Sequence, residues 1–198
     1  MTKTAIIFCG ALGRELVDII QKHGWDAKLF GVSAMDHMFP ERIAPDVEKR
    51  YLEIRDQFDR VLVGFGDCGS QGAVDQLAAK YNLERIDGPH CYEMYGGGSF
   101  QELMDEEPGT FFLTDFLVRG FRGTILKGLG LDRFPQLKDE YFRNYKRIVY
   151  MAQKPDPELI AQAQKAADYL GLSLEVRETG YGLLEERLVA MMNREHQP

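Results

Sequence analysis

The sequence predicts an α/β fold, a mainly parallel, Rossmann-like sheet with helices on both faces. The prediction includes the alternative that this fold consists of two similar halves. Short apolar runs alternate with amphipathic stretches of ten or more residues along the chain. A parallel strand covered on both faces is a continuous apolar run, and the helix that leads to the next strand is amphipathic. The two observations together favour the parallel α/β class.

In the N-terminal half, apolar spacing and glycine stops indicate each element. Apolar runs predict strands at residues 4–9, 27–32 and 60–66, and a short strand at 84–87. Residues 12–24 and 43–58 carry apolar side chains at helical spacing, and Gly24 is a typical helix stop. A further helix is predicted after Gly72.

In the C-terminal half, residues 147–151 and 173–177 are predicted strands, and residues 110–114 favour a strand only slightly over a helix. Helices are predicted at 161–170, started by Asp156-Pro157-Glu158, and at 183–192. No low-complexity linker interrupts the chain, so residues 1–198 are predicted to form one domain. The glycines Gly96, Gly97 and Gly98 are the predicted hinge between lobes 1–95 and 99–198.

Composition narrows the function classes. The net charge is −7, and no basic run exceeds two residues, which disfavours a nucleic-acid or anionic-membrane surface. The first apolar stretch is too short for a signal peptide, and no apolar window approaches the roughly 18 residues of a membrane span. The three cysteines are far apart in sequence, which is not typical of a disulfide framework. We expect a cytoplasmic protein.

All three cysteines fall at the carboxyl ends of predicted strands, the edge where parallel sheets bind ligands. Three thiolates, or two thiolates and an imidazole, suit zinc with an open position or an iron–sulfur cluster with a free iron. A cysteine in such a place is also commonly a small apolar core residue, and that alternative stays open. The candidate metal ligands are Cys9, Cys68, Cys91, His90 and His37.

Polar and glycine residues beside the cysteines are further candidates. The segment from Asp67 to Gly72 precedes a predicted helix, so its amides could hold a phosphate or carboxylate, or Asp67 could cap the helix. The candidate cofactor-binding residues are Gly10, Gly69 and Ser70. The candidates for proton transfer or ligand orientation are Asp67, Glu93 and Asp115.

The order and spelling of several segments resemble the bacterial and archaeal family catalogued as domain of unknown function 1638. The resemblance spans essentially the whole chain and implies a complete one-domain protein. It also implies that the cysteine segments are signature elements of the family and that His37 occupies the position of a family histidine after the second strand. A further implication is that the protein accompanies corrinoid-dependent methyltransferase systems. The segments that carry it are residues 9–12, 66–69, 88–93, 108–115, 128–132, 144–150 and 179–181.

Two hypotheses of different classes follow. The first is a metal- or iron–sulfur-binding enzyme or accessory factor that acts on a small molecule, with a corrinoid or a methyltransferase protein as a further partner. The second is a non-catalytic binding module for an anion or a corrinoid, in which the cysteines are structural and Arg119 or Arg133 holds the ligand. A thiol redox protein is a third class, but no adjacent resolving cysteine supports it.

Overall fold

Parallel strands form two sheets in the part of the chain that the computed structural model describes, residues 3–194. The chain divides into two compact units, one made of Met1–Cys91 and Leu183–Pro198 and the other of Tyr92–Gly182. Every strand pair in both sheets is parallel. The predicted parallel α/β class is therefore confirmed.

The first unit alternates strands and helices from its start, and its sheet has the order β2-β1-β3-β4. Short 3-10 turns at Gly10–Leu12, Ala34–Met38, Pro40–Arg42 and Arg55–Gln57 join or extend these elements. Gly24 ends the first helix in the left-handed conformation (φ 64°), as its position predicted. The elements are β1 (Thr4–Cys9), α1 (Gly13–His23), β2 (Ala27–Val32), α2 (Ile43–Ile54), β3 (Arg60–Gly64), α3 (Ala73–Tyr81) and β4 (Glu84–Arg85).

Both faces of the first sheet are covered. Ala5 and Ile7 pack in one cluster with residues of α2 and α3. Side chains alternate along a strand, so Ile6 and Phe8 point to the opposite face, and they are also buried. A Cβ added to Gly13 would lie 3.3 Å from the Phe8 ring, which places the start of α1 against that second face.

The second unit contains a smaller sheet with the order β5-β6-β7. A π-helical turn at Arg122–Leu126 and a 3-10 turn at Pro135–Leu137 lie between α6 and α7. After β7 the chain returns to the first unit with α9 (Gly182–Asn193). The elements are α4 (Cys91–Gly96), α5 (Gly98–Glu106), β5 (Thr110–Thr114), α6 (Asp115–Arg119), α7 (Lys138–Phe142), β6 (Arg147–Ala152), α8 (Pro157–Leu170) and β7 (Ser173–Glu178).

The sheet of the second unit is also covered on both faces. Leu113 and Tyr150 pack with apolar residues of α6 and α8 on one face. Met151 follows Tyr150 and points to the other face, where its Cε approaches Gly96 of α4. Residues 110–114 form a strand because Phe112 and Leu113 are needed in these two apolar layers.

The glycines predicted as a hinge lie within the second unit, where they join α4 to α5. The boundary between the units along the chain lies instead between Cys91 and Tyr92. Helix α8 begins at Pro157, as the start signal Asp156-Pro157-Glu158 predicted, and Asp156 caps it by accepting a hydrogen bond from the Glu158 amide. Within residues 3–194, no helix combines the length and apolarity required to cross a membrane.

Candidate functional site

Two of the three cysteines lie close together in the first unit. Cys9 is the last residue of β1, and Cys68 follows β3, the neighbouring strand. Burial raises the pKa of the Cys68 thiol to about 12, and the charge of the nearby Cys9 thiolate contributes in the same direction. Burial also raises the pKa of Cys9. The parallel register of β1 and β3 thus brings together two half-buried thiols that are distant in sequence.

The loop that carries His90 and Cys91 packs against the Cys68 loop backbone to backbone. The Cys68 amide donates to the Pro89 carbonyl at 2.6 Å, and the Asp67 amide donates to the Gly88 carbonyl at 3.2 Å. A Cβ added to Gly66 would lie 2.9 Å from the His90 amide nitrogen. A glycine is therefore required for this close approach.

The cysteines do not form a complete metal site. None of the three forms a disulfide bond, and each is half-buried. Among residues 3–194, no three side chains of His, Cys, Asp or Glu stand together in an arrangement that could hold a metal ion. His37 lies on the exposed surface of the turn after β2, although partial shielding from water lowers the pKa of its ring. Of the five predicted metal ligands, the structure therefore brings together the thiols of Cys9 and Cys68, called the thiol pair below.

Asp67 organises the loop before α3. Its Oδ1 accepts hydrogen bonds from the Gly72 amide at 2.7 Å and the Ser70 hydroxyl at 2.8 Å. These bonds, the Gly72 amide first, lower the pKa of the Asp67 carboxyl. An anion bound by this loop would need the Gly72 amide and the Ser70 hydroxyl as donors, and both already donate to Asp67. The loop of Gly69 and Ser70 is therefore folded around its own carboxylate.

Gly10 is required for the packing of the turn that follows β1. A Cβ at this position would lie 2.9 Å from the Val32 carbonyl oxygen and 3.4 Å from the Ala34 amide nitrogen. The turn after Cys9 consequently lies directly against the segment that follows β2. This contact places the segment around Asp36 beside Cys9.

Asp36 is a buried carboxyl group that the sequence did not single out. It is 5% exposed, and its Oδ2 has no hydrogen-bond partner among the described residues. Burial raises the pKa of Asp36, and the neighbouring Asp46 carboxyl raises it further. The charge of Asp36 in turn raises the pKa of Cys9. Nothing in the pattern Ala34-Met35-Asp36-His37 distinguishes a buried aspartate from an exposed one.

The other two candidates for proton transfer lie in the second unit. Glu93 is half-buried on α4. Asp115 is almost completely buried and accepts from the Tyr150 hydroxyl at 2.7 Å, the Gln153 amide at 3.1 Å and the Arg119 guanidinium at 3.3 Å. Arg119 is therefore already bound to a carboxylate.

A comparison with known families matches most of the chain. The model that matches residues 32–188 is described as a protein of unknown function (DUF1638). No curated protein matches the chain. The match includes two of the three cysteines, Cys68 and Cys91, and the buried Asp36 and Asp115.

Proposed function

The chain belongs to the DUF1638 family of proteins of unknown function, as its motifs predicted, and we propose that it binds a metal ion or an iron–sulfur cluster through Cys9 and Cys68. Cys91 or His90 joins this pair as a further ligand. The observation that carries this function is the approach of two thiols from the ends of neighbouring parallel strands.

The surroundings of the thiol pair support a cation. Beyond the effect of burial, the charge of the Cys9 thiolate and of Asp67 raises the pKa of Cys68, and the charge of Asp36 raises the pKa of Cys9. A soft metal ion stabilises thiolates directly and relieves this repulsion. Oδ2 of Asp36 is a buried acceptor atom in this region that receives no hydrogen bond from the described residues.

The loop of residues 88–91 supplies the remaining ligands. Because no group of three ligands is assembled in residues 3–194, Cys91 or His90 must move toward the thiol pair when metal binds. Three thiolates would suit an iron–sulfur cluster, and two thiolates with an imidazole would suit zinc. Either group would offer an open position to a small molecule.

The proposed partners are a small-molecule substrate and a corrinoid or methyltransferase protein. The second partner rests on the family resemblance, which implies an association with corrinoid-dependent methyltransferase systems. The chain would then act as an enzyme or an accessory factor in that chemistry.

A non-catalytic binding module is the second candidate function. It is favoured by the raised pKa of both Cys9 and Cys68, because protonated thiols pack as small apolar groups. Two observations argue against an anion as its ligand. The loop amides already donate to Asp67, and Arg119 is bound to Asp115.

Metal analysis of the intact chain tests the metal site. We would measure metal and acid-labile sulfide in protein purified without oxygen from metal-replete cells, together with its visible spectrum. The variants are Cys9→Ser, Cys68→Ser and Cys91→Ser, with His37→Asn as a control on the exposed surface of the same unit. We expect bound metal to fall sharply in the Cys9 and Cys68 variants and to persist in the His37 variant.

Two results would reject the metal site. One is a wild-type protein that is colourless and metal-free, and the other is unchanged metal content in all three cysteine variants. If the cysteine variants lose stability but keep affinity for a small molecule, the binding module is the correct function.

A further inference from the structure

Arg85 joins strand β4 to main-chain atoms of two separate segments of the first unit. It is the last residue of β4 and the register partner of Val63 in β3. Its guanidinium Nη1 donates to three backbone carbonyls, those of Phe65 at 3.0 Å, Ile86 at 2.7 Å and Gly88 at 3.4 Å. One side chain therefore binds the backbone that follows β3 and the backbone that follows β4.

The carbonyls bound by Arg85 precede the two cysteine loops. Phe65 lies three residues before Cys68, and Gly88 lies three residues before Cys91. Both belong to the backbone from which the following loop starts. A guanidinium shared by these two carbonyls therefore fixes the starts of both loops relative to each other.

The Gly88 carbonyl oxygen is the point at which the guanidinium meets the contact between the two loops. It accepts from Arg85 and also from the Asp67 amide, the latter at 3.2 Å. The adjacent Pro89 carbonyl accepts from the Cys68 amide at 2.6 Å. Removal of the guanidinium would take a donor from the first carbonyl and loosen both contacts.

The guanidinium is largely withdrawn from water. The Arg85 side chain is 14% exposed, and its Nε lies 2.6 Å from the carboxylate of Asp75, which is 57% exposed. Hydrogen bonds from a charged donor are stronger than those between neutral groups, and a partly buried cation needs its acceptors. Burial raises the pKa of Cys68, and the charge of Arg85 acts in the opposite direction, which places the guanidinium near that thiol.

We propose that Arg85 is a positioning residue of the metal site, which holds the loops of Cys68 and Cys91 in register. The movement that completes the site is then confined to His90 and Cys91. This inference rests on the proposed function, in which one of these two residues joins the thiol pair. The guanidinium offers only donors, so Arg85 acts through the loops and is not a ligand.

Amide hydrogen exchange in the metal-free chain, followed by NMR, tests the contact between the loops. Arg85→Met keeps an aliphatic side chain and removes the guanidinium. We expect the Asp67 and Cys68 amides to exchange faster by roughly tenfold or more, and the amides of β1 to keep their wild-type rates. A general loss of stability would instead speed both sets of amides.

Asp75→Asn is the matched control, because it removes the charge that pairs with Nε of Arg85 and leaves the three carbonyl acceptors in place. It should leave exchange at Asp67 and Cys68 unchanged. Arg85→Gln, with a shorter polar side chain, should also speed exchange there, so the test stands if the methionine variant does not fold. Circular dichroism checks the fold of each variant.

Metal binding tests the positioning itself. Cobalt(II) alone, and separately iron with sulfide, are added without oxygen to metal-free wild type and variants, and bound metal and the visible spectrum are measured. For the probe that wild type binds, we expect Arg85→Met to bind roughly tenfold or more weakly. Its spectrum per bound metal should also change, because a ligand from residues 90 and 91 is lost. A merely less stable protein would bind less metal with the wild-type spectrum.

Three results would overturn the role of Arg85 alone. They are wild-type exchange at Asp67 and Cys68 in the folded Arg85 variants, metal binding by these variants with wild-type affinity and spectrum, and an equal loss of metal in Asp75→Asn. Binding of neither probe by the wild-type chain would reject the proposed metal site, and the positioning role with it.

Discussion

The Tyr150 hydroxyl donates a 2.7 Å hydrogen bond to Oδ1 of Asp115, and both side chains are buried in the second unit. Burial, and then the negative charge of Asp115, raise the pKa of Tyr150. The same carboxylate accepts from the Gln153 amide and from Arg119. One buried carboxylate therefore joins the end of β5 to the end of β6 and to α6.

Removal of the Asp115 carboxylate should destabilise the second unit strongly. Asp115→Ala leaves the Tyr150 hydroxyl, the Gln153 amide and the Arg119 guanidinium without their acceptor. Breaking a buried charged network typically costs roughly 3–5 kcal/mol of folding free energy. Tyr150→Phe removes only one donor and should cost about 1.5 kcal/mol. Urea unfolding followed by circular dichroism measures both, and equal effects of the two substitutions would contradict this account.

The stability of the first unit should depend on the ionisation of Asp67. Its pKa is lowered in the folded protein, so ionised Asp67 contributes stability above its unfolded pKa of roughly 3.9. This contribution is lost as the pH falls through the lowered pKa. Asp67→Asn should make unfolding free energy less sensitive to pH below about pH 4.

Urea unfolding of metal-free protein across acidic pH measures this dependence. Asp26→Asn is a control, because Asp26 is an aspartate outside the loop that folds around Asp67. A variant at Asp67 with the same acid dependence as wild type would show that its hydrogen bonds do not stabilise the ionised form.

Cys68 should react slowly with alkylating reagents in the folded, metal-free chain. Its pKa is raised to about 12, mainly by burial, so little thiolate is present near neutral pH. We expect iodoacetamide to modify Cys68 at pH 8 at least roughly tenfold more slowly in native protein than in urea, because the unfolded thiol has a pKa of about 8.5. Mass spectrometry of the Cys68 peptide gives both rates. Equal rates would place the thiol in contact with solvent.

The packing of Gly66 against His90 should control metal content if the proposed metal site is correct. Gly66→Ala would push a methyl group into the His90 backbone, separating the Cys68 loop from the loop of Cys91. Gly98→Ala is a matched control, since nothing lies within 4 Å of an added Cβ there. We expect reduced metal in the first variant and wild-type metal in the second. Retention of metal by a folded Gly66→Ala protein would show that residues 88–91 supply no ligand.

Arg60 should determine how firmly α9 is held to the first unit. Its buried guanidinium donates to Glu84 at 3.0 Å and to the Met191 carbonyl at 2.6 Å, at the C-terminal end of α9. Cations stabilise this end of a helix by satisfying its last carbonyl groups. In Arg60→Met, amide hydrogen exchange in residues 184–193 should be faster by roughly tenfold or more, a loss of about 1.4 kcal/mol.

The control for this change is Arg50→Met, which removes a surface arginine whose ion pair within residues 3–194 is with Glu53. Exposed pairs contribute little, so the control should leave exchange in α9 unchanged. Equal exchange in the two variants would show that apolar packing alone holds the helix.

The positions of most strands and helices followed from local sequence. The apolar runs at 4–9 and 147–151 formed β1 and β6 because strands buried on both faces need apolar residues at every position. Helices α4 and α5 were not predicted, because glycines at 96–98 interrupt the helical pattern. They form because α4 and α5 cover the Met151 face of the second sheet.

The candidate site was predicted in part. The strand-end positions of Cys9 and Cys68 followed from the strand pattern, and the two thiols do lie close together. The role of Asp67 as the acceptor for its own loop depends on the conformation of residues 68–72, in which Cys68 and Gln71 have positive φ. Asp36 was missed, because burial of a turn residue depends on the packing of Gly10 against the segment after β2.

The sequence by itself determined the parallel α/β class, the family and the placement of Cys9 and Cys68 after neighbouring strands, whereas Cys91, predicted at a strand end, begins helix α4. Periodicity and strand-end chemistry are local properties that each segment carries wherever it packs. Only the tertiary structure decided that the strands divide between two sheets, that α9 returns to the first unit, and that the Asp115 carboxylate is shared by Tyr150, Gln153 and Arg119. These are long-range contacts, set by which apolar faces and buried polar groups satisfy one another after the chain has folded.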